Sequence, residues 1–178
     1  MSLRLFVFGC FLLFTSCEED PILKPIAEDP ADIDLVTGLV LRDVIGAPVP
    51  EYGNPNISDS GIVLYPNPAD YSVIIQAWTR IRKVWFVKGD VNYTSFVDTD
   101  FEDVFSVNPY RQSVVMDSAL VQYDVDTTKY IIDVTGFPEG YLRVFYLLDN
   151  DSLKWSNLVI KHSGTWQTAV QEIYEEWN

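Results

Sequence analysis

Cys17 is the residue whose position most clearly indicates chemistry in this chain. It follows an apolar run, residues 5–14, that is preceded by a single charge, Arg4. A cysteine thiolate is a nucleophile, so a thiol at this point of the chain is a candidate for covalent modification. The second cysteine, Cys10, lies inside the apolar run, and a chain cleaved before Cys17 therefore has no cysteine pair for a disulfide or a cysteine metal site.

The residues before Cys17 resemble the lipobox of bacterial lipoproteins. The apolar run has the length of a signal-peptide core and is too short to span a bilayer. It ends at Phe14, and Phe14, Thr15 and Ser16 are the residues that precede Cys17. In that family the cysteine is diacylated, becomes residue one and then receives a further acyl chain, such as palmitate, on its new amine. The resemblance implies a signal peptide over residues 1–16 and stable attachment to a membrane through Cys17. An ordinary signal peptide that leaves Cys17 unmodified is the alternative.

Three acidic residues, Glu18, Glu19 and Asp20, come directly after Cys17. They resemble the export signal of surface-exposed lipoproteins of the Bacteroidota, which implies an outer-membrane protein that faces the outside of the cell. A merely solvated start of the tether is the alternative. Prolines and like charges over residues 17–35 predict an extended tether between the lipid and the folded part.

Net charge restricts the class of partner. The chain has a formal charge of −14, and such a surface repels nucleic acid and anionic lipid headgroups. Hydrophobic residues make up 48% of the chain and aromatic residues 14%, which is sufficient for a packed core.

Strand patterns fill residues 36–162, which we predict to be one mainly-β domain. Apolar, β-branched and aromatic runs alternate with the turn sequences IGAP, EYGNPN, YPNP, KGD, FPEG and DNDS. This spacing predicts an antiparallel β-sandwich. The predicted strands are Val36–Leu41, Gly61–Tyr65, Ser72–Trp78, Val84–Val87, Val114–Met116, Leu120–Val125, Tyr130–Val134, Leu142–Leu148 and Trp155–Lys161.

Residues 163–178 predict one amphipathic C-terminal helix. Apolar residues recur there at three- and four-residue spacing and form one stripe, and Ser163 or Thr165 could cap the helix. We expect the stripe to pack on its own domain, with docking on a partner protein as the second interpretation. The candidate partner contacts are Trp166, Val170, Ile173 and Trp177.

The region from Gly61 to His162 resembles the C-terminal sorting domain of type IX secretion cargo. The opening motif of that family, a strand followed by Tyr-Pro-Asn-Pro, is matched at residues 61–68, and its closing strands and Pro-x-Gly turn are matched at residues 131–161. The resemblance implies a small seven-stranded sandwich. Sorting domains end their chains, whereas a predicted helix follows here.

Catalytic and metal-binding patterns are weak. His162 is the chain's only histidine, so a Ser-His-Asp triad would need it, and no Gly-x-Ser-x-Gly or Gly-rich phosphate loop accompanies it. A zinc site would lack histidine and cysteine partners, and the acidic clusters 98–103 and 149–151 lack the EF-hand pattern. We therefore predict no enzyme activity, no metal and no cofactor; a small two-carboxylate hydrolase is the least favoured alternative.

Aromatic and hydroxyl residues suggest glycans in two ways. Tryptophans exposed in pairs would stack on sugar rings, although core packing is the first expectation for all five tryptophans. Three Asp-Ser/Thr segments resemble the acceptor pattern for O-glycans in the same bacteria, and chance matches explain them equally well. The candidate acceptors are Ser118, Thr127 and Ser152.

These observations predict a non-catalytic outer-membrane lipoprotein, exposed at the cell surface, that serves as an accessory or interaction subunit of an outer-membrane complex. Its partners would be the membrane, through the lipid anchor, and an outer-membrane protein, but not nucleic acid. A glycan-binding surface lipoprotein is the alternative.

Replacing Cys17 with alanine should abolish membrane attachment, because the acyl chains have no other site. We expect the wild-type chain to enter the detergent phase with an intact mass above that of residues 17–178, and Cys17→Ala to remain aqueous or unprocessed. Cys10→Ala, in the cleaved segment, should behave as wild type. Identical fractionation and migration of Cys17→Ala and wild type would contradict the lipobox interpretation.

Overall fold

The computed structural model describes residues 33–34, 39–52, 61–90 and 110–177, which form eight strands and two helices. The predicted mainly-β class with a C-terminal helix is confirmed. The signal sequence, Cys17, the acidic triplet and the acidic cluster 98–103 lie outside the described residues. The strands are β1 (Ile33–Asp34), β2 (Leu39–Arg42), β3 (Pro48–Tyr52), β4 (Ile62–Tyr65), β5 (Ser72–Asp90), β6 (Val121–Asp133), β7 (Gly140–Leu148) and β8 (Leu153–Ile160). The helices are α1 (Gln112–Asp117) and α2 (Trp166–Trp177).

Strand β5 organises the main sheet. Its first half pairs with β4 on one side and β6 on the other, and its second half pairs with β6 and β7. Strand β8 extends the sheet beyond β7, and β1 adds a short parallel pairing at the end of β5. The sheet curls into a half-barrel, and β2 and β3 form a separate antiparallel pair.

A bulge joins segments that the sequence predicts as separate strands. Between Gln76 and Ile81, β5 advances five residues while β6 advances only from Lys129 to Thr127. Bulges bend and twist a strand without ending it, so the polar residues in the middle of β5 mark a bend and not a loop. The same continuity merges the two predicted strands of β6.

The predicted turn at residues 88–90 is wrong for a different reason. Gly89 and Asp90 belong to β5 and pair with β1.

The predicted strand Val114–Met116 is also wrong, because this segment belongs to α1. Its backbone forms helical bonds from the Val115 amide to the Arg111 carbonyl and from the Ser118 amide to the Val114 carbonyl. A run of three apolar residues, Val114 to Met116, is too short to distinguish the helical period from the strand period. Only Val115 is buried in this helix, where it packs on one face of the sheet beside Trp85.

Three clusters of buried side chains fill the domain. The largest lies inside the curl and contains inward residues of β4–β8, including Ile75, Phe86 and Val144. The second lies on the opposite face of β5 and β7, beneath α1. The third joins β2, β8 and α2. Residues 142–148 of β7 are all buried, because the sheet is covered on both faces at its centre.

Asn67 joins three parts of the chain. It lies in the YPNP turn, is only 1% exposed, and exchanges two backbone hydrogen bonds of 2.9 Å with Arg42. Its side-chain amide donates to the carbonyls of Val40 and Asn157, both at 3.0 Å. Its Oδ1 accepts from the Val159 amide at 2.9 Å. A single buried side chain therefore holds the β2–β3 hairpin and the edge of β8 to the turn.

The predicted helix α2 is confirmed, and its stripe packs mainly on its own domain. Thr165 caps the helix, because its Oγ1 accepts from the Thr168 amide at 3.2 Å. Ile173 is fully buried against Leu39, Leu41 and Val159. This corrects the partner-contact hypothesis for Ile173, which a partner cannot reach.

Val170 packs partly against the same cluster as Ile173, so it too belongs mainly to the domain's own interior. The side chain of Trp177 is not among those that the structure describes. Within the described residues, no helix has both the length and the hydropathy needed to cross a membrane.

Replacing Asn67 with alanine should destabilise the fold by about 3 kcal/mol, because three hydrogen bonds worth about 1 kcal/mol each are lost, two of them buried and one partly buried. Urea unfolding measures this change. Asn150→Ala removes an amide that bonds only within an exposed turn and should cost less than about 1 kcal/mol. Equal losses for the two variants would contradict the role of Asn67.

Candidate interaction site

A cleft of about 350 Å³ opens beside the YPNP turn. The turn between β2 and β3, the first residues of β5 and the start of α2 form its other sides. Four chain segments that are distant in sequence therefore meet at one site. The apolar part of its lining consists of Val44, Pro66, Pro68, Ala69, Tyr71, Ile74, Trp166 and Ala169.

The outer face of the sheet continues the apolar lining away from the cleft. Tyr65 pairs with Ile74, and Ile74 pairs with Ile131, so the three side chains share one face. Their neighbours along the strands, such as Val73 and Ile132, point the other way and fill the core. An apolar row thus crosses β4, β5 and β6 on the face opposite the largest buried cluster.

Exposed apolar residues cluster around this row. Val44 is 68% exposed, Ile45 80%, Tyr71 71% and Ile131 61%. Val44 and Tyr71 line the cleft together with Ile74, and Ile131 is the cross-strand neighbour of Ile74. We refer to Val44, Ile45, Tyr71, Ile74 and Ile131 as the apolar face.

The turn that carries Val44 and Ile45 has a defined conformation. The Asp43 carboxylate accepts from the amides of Ile45, at 3.0 Å, and Ala47, at 2.8 Å. Gly46 has a φ of +83°, and a Cβ at this position would lie 3.3 Å from the Tyr65 ring. Glycine is the residue that satisfies both conditions, and it allows the turn to lie directly over Tyr65.

The Lys161 ammonium and the Trp166 indole nitrogen, both in residues that line the cleft, differ in whether they have a partner. The Lys161 ammonium lies 3.0 Å from Glu172 and 3.7 Å from Glu176. Partial burial opposes its charged form, but these carboxylates raise the pKa of Lys161 above its usual range. The indole nitrogen of Trp166 is buried and has no hydrogen-bond partner, although buried donors are normally paired.

His162 lies next to the cleft and bonds through both ring nitrogens. Its Nε2 lies 2.9 Å from the Phe137 carbonyl, and its Nδ1 lies 2.9 Å from the carbonyl of Asp70. The Phe137 carbonyl, with further help from Asp70, raises the pKa of His162 above its usual value. Both carbonyls accept from the imidazolium, which donates from both nitrogens.

The described tryptophans divide between core and surface. Trp85 is fully buried. Trp155 packs against the same cluster, and the Arg143 guanidinium lies 4.0 Å from its ring centroid. The prediction of core packing is wrong for Trp78, which lies at the β5 bulge and is 90% exposed. Trp166 is partly buried at the cleft and is the one candidate contact residue that lines it.

The other candidate residues lie elsewhere. Ser118 follows α1, Thr127 lies where β6 meets the β5 bulge, and Ser152 lies in the β7–β8 turn. All three are partly exposed, and their glycosylation stays a prediction. In the acidic cluster 149–151, Asp149 lies 3.8 Å from Arg80 and Asp151 lies 2.6 Å from Arg82. The described residues contain no group of three or more His, Cys, Asp or Glu side chains that could hold a metal ion.

Sequence reasoning misses the apolar face. The pattern places Ile45 in the predicted IGAP turn and gives Val44 no role, and Ile131 is one apolar residue in a predicted strand. The available signal is three consecutive apolar residues, Tyr130 to Ile132, in a strand that otherwise alternates. Such a run requires at least one apolar side chain on the face opposite the core.

The chain matches no protein-family model, no curated protein and no solved structure.

The pKa of His162 should exceed 6.5, its unperturbed value, and the ring-proton NMR signals of this single histidine report it directly. Because folding raises this pKa, His162 stabilises the fold fully below pH 6.5, and the contribution is lost as pH rises through the folded pKa. Asp70→Asn should lower the pKa part of the way, and His162→Gln should remove the pH dependence in that window. A titration at or below 6.5 would refute the double-donor geometry.

Proposed function

We propose that this chain is a non-catalytic, lipid-anchored outer-membrane protein that faces the cell exterior and binds a partner protein through the apolar face. The resemblance of residues 14–20 to a lipobox followed by an acidic export signal supports the location. The apolar face supports the binding role, and it is the single observation that carries the proposal.

The apolar face has the properties of a contact surface. Exposed apolar residues scattered singly are normal, but a contiguous apolar patch usually marks an interaction site. Here Val44, Tyr71 and Ile131 come from three chain segments and are more than 60% exposed. Folding has placed them at the cleft and on the strand beside it, outside the three buried clusters, so the core does not explain their position.

Glycan binding is the second candidate, and Trp78 is the observation that favours it. An indole exposed to this degree could stack on a sugar ring. Glycan sites usually combine several aromatic faces, however, and the other described tryptophans are buried or partly buried. We therefore place glycan binding second.

Hydrolytic chemistry receives less support from His162. Both ring nitrogens face backbone carbonyl oxygens, so neither is positioned to take a proton from a serine hydroxyl, as a triad requires.

Co-purification from native membranes, with quantitative mass spectrometry, tests the proposal. The double variant Tyr71→Ala, Ile131→Ser should reduce recovery of a stoichiometric partner by about ten-fold or more, because truncating central contact residues commonly costs that much. Both side chains are mostly exposed, so thermal unfolding should change little.

Trp78→Ala is the matched control, since it removes a larger and even more exposed side chain that is not part of the apolar face and lies four residues beyond Ile74, at the β5 bulge. Unchanged recovery in the double variant would contradict the proposal. Loss of binding in Trp78→Ala alone, with saturable binding of wild type to a surface polysaccharide, would favour the glycan candidate.

A further inference from the structure

We infer that the cleft beside the YPNP turn binds an extended peptide segment of the partner, with one apolar side chain inserted into the cleft and basic residues on either side. The inference rests on the proposed function and names the chemistry of the occupant. Three features of the cleft carry it: its apolar lining, its unsatisfied indole donor and its acidic surroundings.

The lining indicates an apolar side chain. Pro66, Pro68, Tyr71 and Ile74 supply apolar surface for such a side chain, next to the polar lining residues Asp70, Ser72, Lys161, Ser163 and Thr165. Two of these residues are prolines, whose fixed φ gives a cleft wall that does not need to be ordered on binding. The cavity, at about 350 Å³, has room for one large side chain and part of a backbone.

The indole of Trp166 offers a hydrogen-bond donor that the fold does not use. Trp166 lines the cleft, its Nε1 is buried and has no partner, and an indole nitrogen only donates. A hydrocarbon chain would leave it unsatisfied, whereas a peptide carbonyl next to the inserted side chain would satisfy it. Aromatic-lined grooves that bind extended peptides combine apolar contact with such hydrogen bonds.

Charge around the cleft selects basic flanking residues. Asp70 lines the cleft, Asp43 lies in the turn next to Val44, and Asp133 is the cross-strand neighbour of Ser72, which also lines it. Hydrogen bonds from the Thr135 amide and hydroxyl lower the pKa of Asp133 and keep it ionised.

The nearby cations do not cancel this field. Lys161 lies between Glu172 and Glu176, whose two carboxylates outweigh its single charge. His162 offsets only Asp70, to which it is bonded. The Arg42 guanidinium keeps its charge, because it donates to the neutral Gly46 carbonyl, but Asp43 lies next to it in the chain. The chain as a whole carries −14. Opposite charge on the partner would steer the encounter and fix the orientation of the bound segment.

Peptide titration of the full lipidated chain in phosphatidylcholine nanodiscs tests the inference. The probe is a blocked, fluorescein-labelled pentapeptide with a central leucine between two pairs of lysines, followed by anisotropy against empty nanodiscs. We expect saturable binding, about ten-fold weaker when the leucine is replaced by serine or the lysines by glutamates.

The site of binding is read from the indole N–H signals of a chain labelled with ¹⁵N-tryptophan. The Trp166 signal should move downfield on saturation, and the Trp78 signal should stay in place. Trp166→Phe should weaken binding about five-fold, the effect of one neutral hydrogen bond. Tyr71→Ala should also weaken peptide binding. Because Tyr71 is exposed, this variant should fold, and it therefore tests the site even if Trp166→Phe does not fold.

Absence of binding, equal binding of the serine peptide, or a shift confined to Trp78 would overturn the inference. If the pentapeptide fails while Tyr71→Ala, Ile131→Ser still loses its partner from native membranes, the peptide chemistry is wrong and the contact surface stands. If both experiments fail, the proposed function fails with it.

Discussion

The hydrogen bonds of Asn67 are the constraint on which the rest of the structure depends. The main sheet has its own core inside the curl, but the β2–β3 hairpin adds only two strands and could not be stable alone. Asn67 joins it to β8 through Val40 and Asn157. The bond to Asn157 is buried and the bond to Val40 is partly buried, so breaking them would leave donors and acceptors with little access to water. The arrangement of hairpin, turn and β8 is therefore fixed as one unit.

The candidate site follows from that arrangement. The bonded pair Arg42 and Asn67 brings the hairpin turn over Tyr65, where Gly46 permits close approach and Asp43 holds the turn conformation. The helix α2 reaches the same place because Ile173 packs on β2 and β8. Trp166 then lies at the start of the helix, facing the prolines of the turn. The cleft exists where these elements meet, and none of them forms it alone.

Much of the fold could be predicted from local pattern, and the site could not. The helix at 166–177 shows the three- and four-residue repeat of apolar residues over its whole length and has a capping threonine. Strands β7 and β8 are apolar runs. The sequence of each segment is therefore enough to predict its secondary structure. The segment at 114–116 has the composition of a strand, but it forms a helix that covers Trp85, which lies far away in sequence. The burial of Asn67 and the exposure of Trp78 depend on partners 27 to 92 residues away or on a bulge. Local pattern carries no information about either.

Native-state amide hydrogen exchange tests the central claim most directly. If Asn67 holds the hairpin, turn and β8 as one unit, the amides of Arg42, Asn67 and Val159 should exchange only through global unfolding, as slowly as those of the buried β7 residues. Exchange of Arg42 and Asn67 by local opening, while β7 remains protected, would show that the hairpin moves independently. The cleft would then not be a preformed site, and the central role of Asn67 would be contradicted.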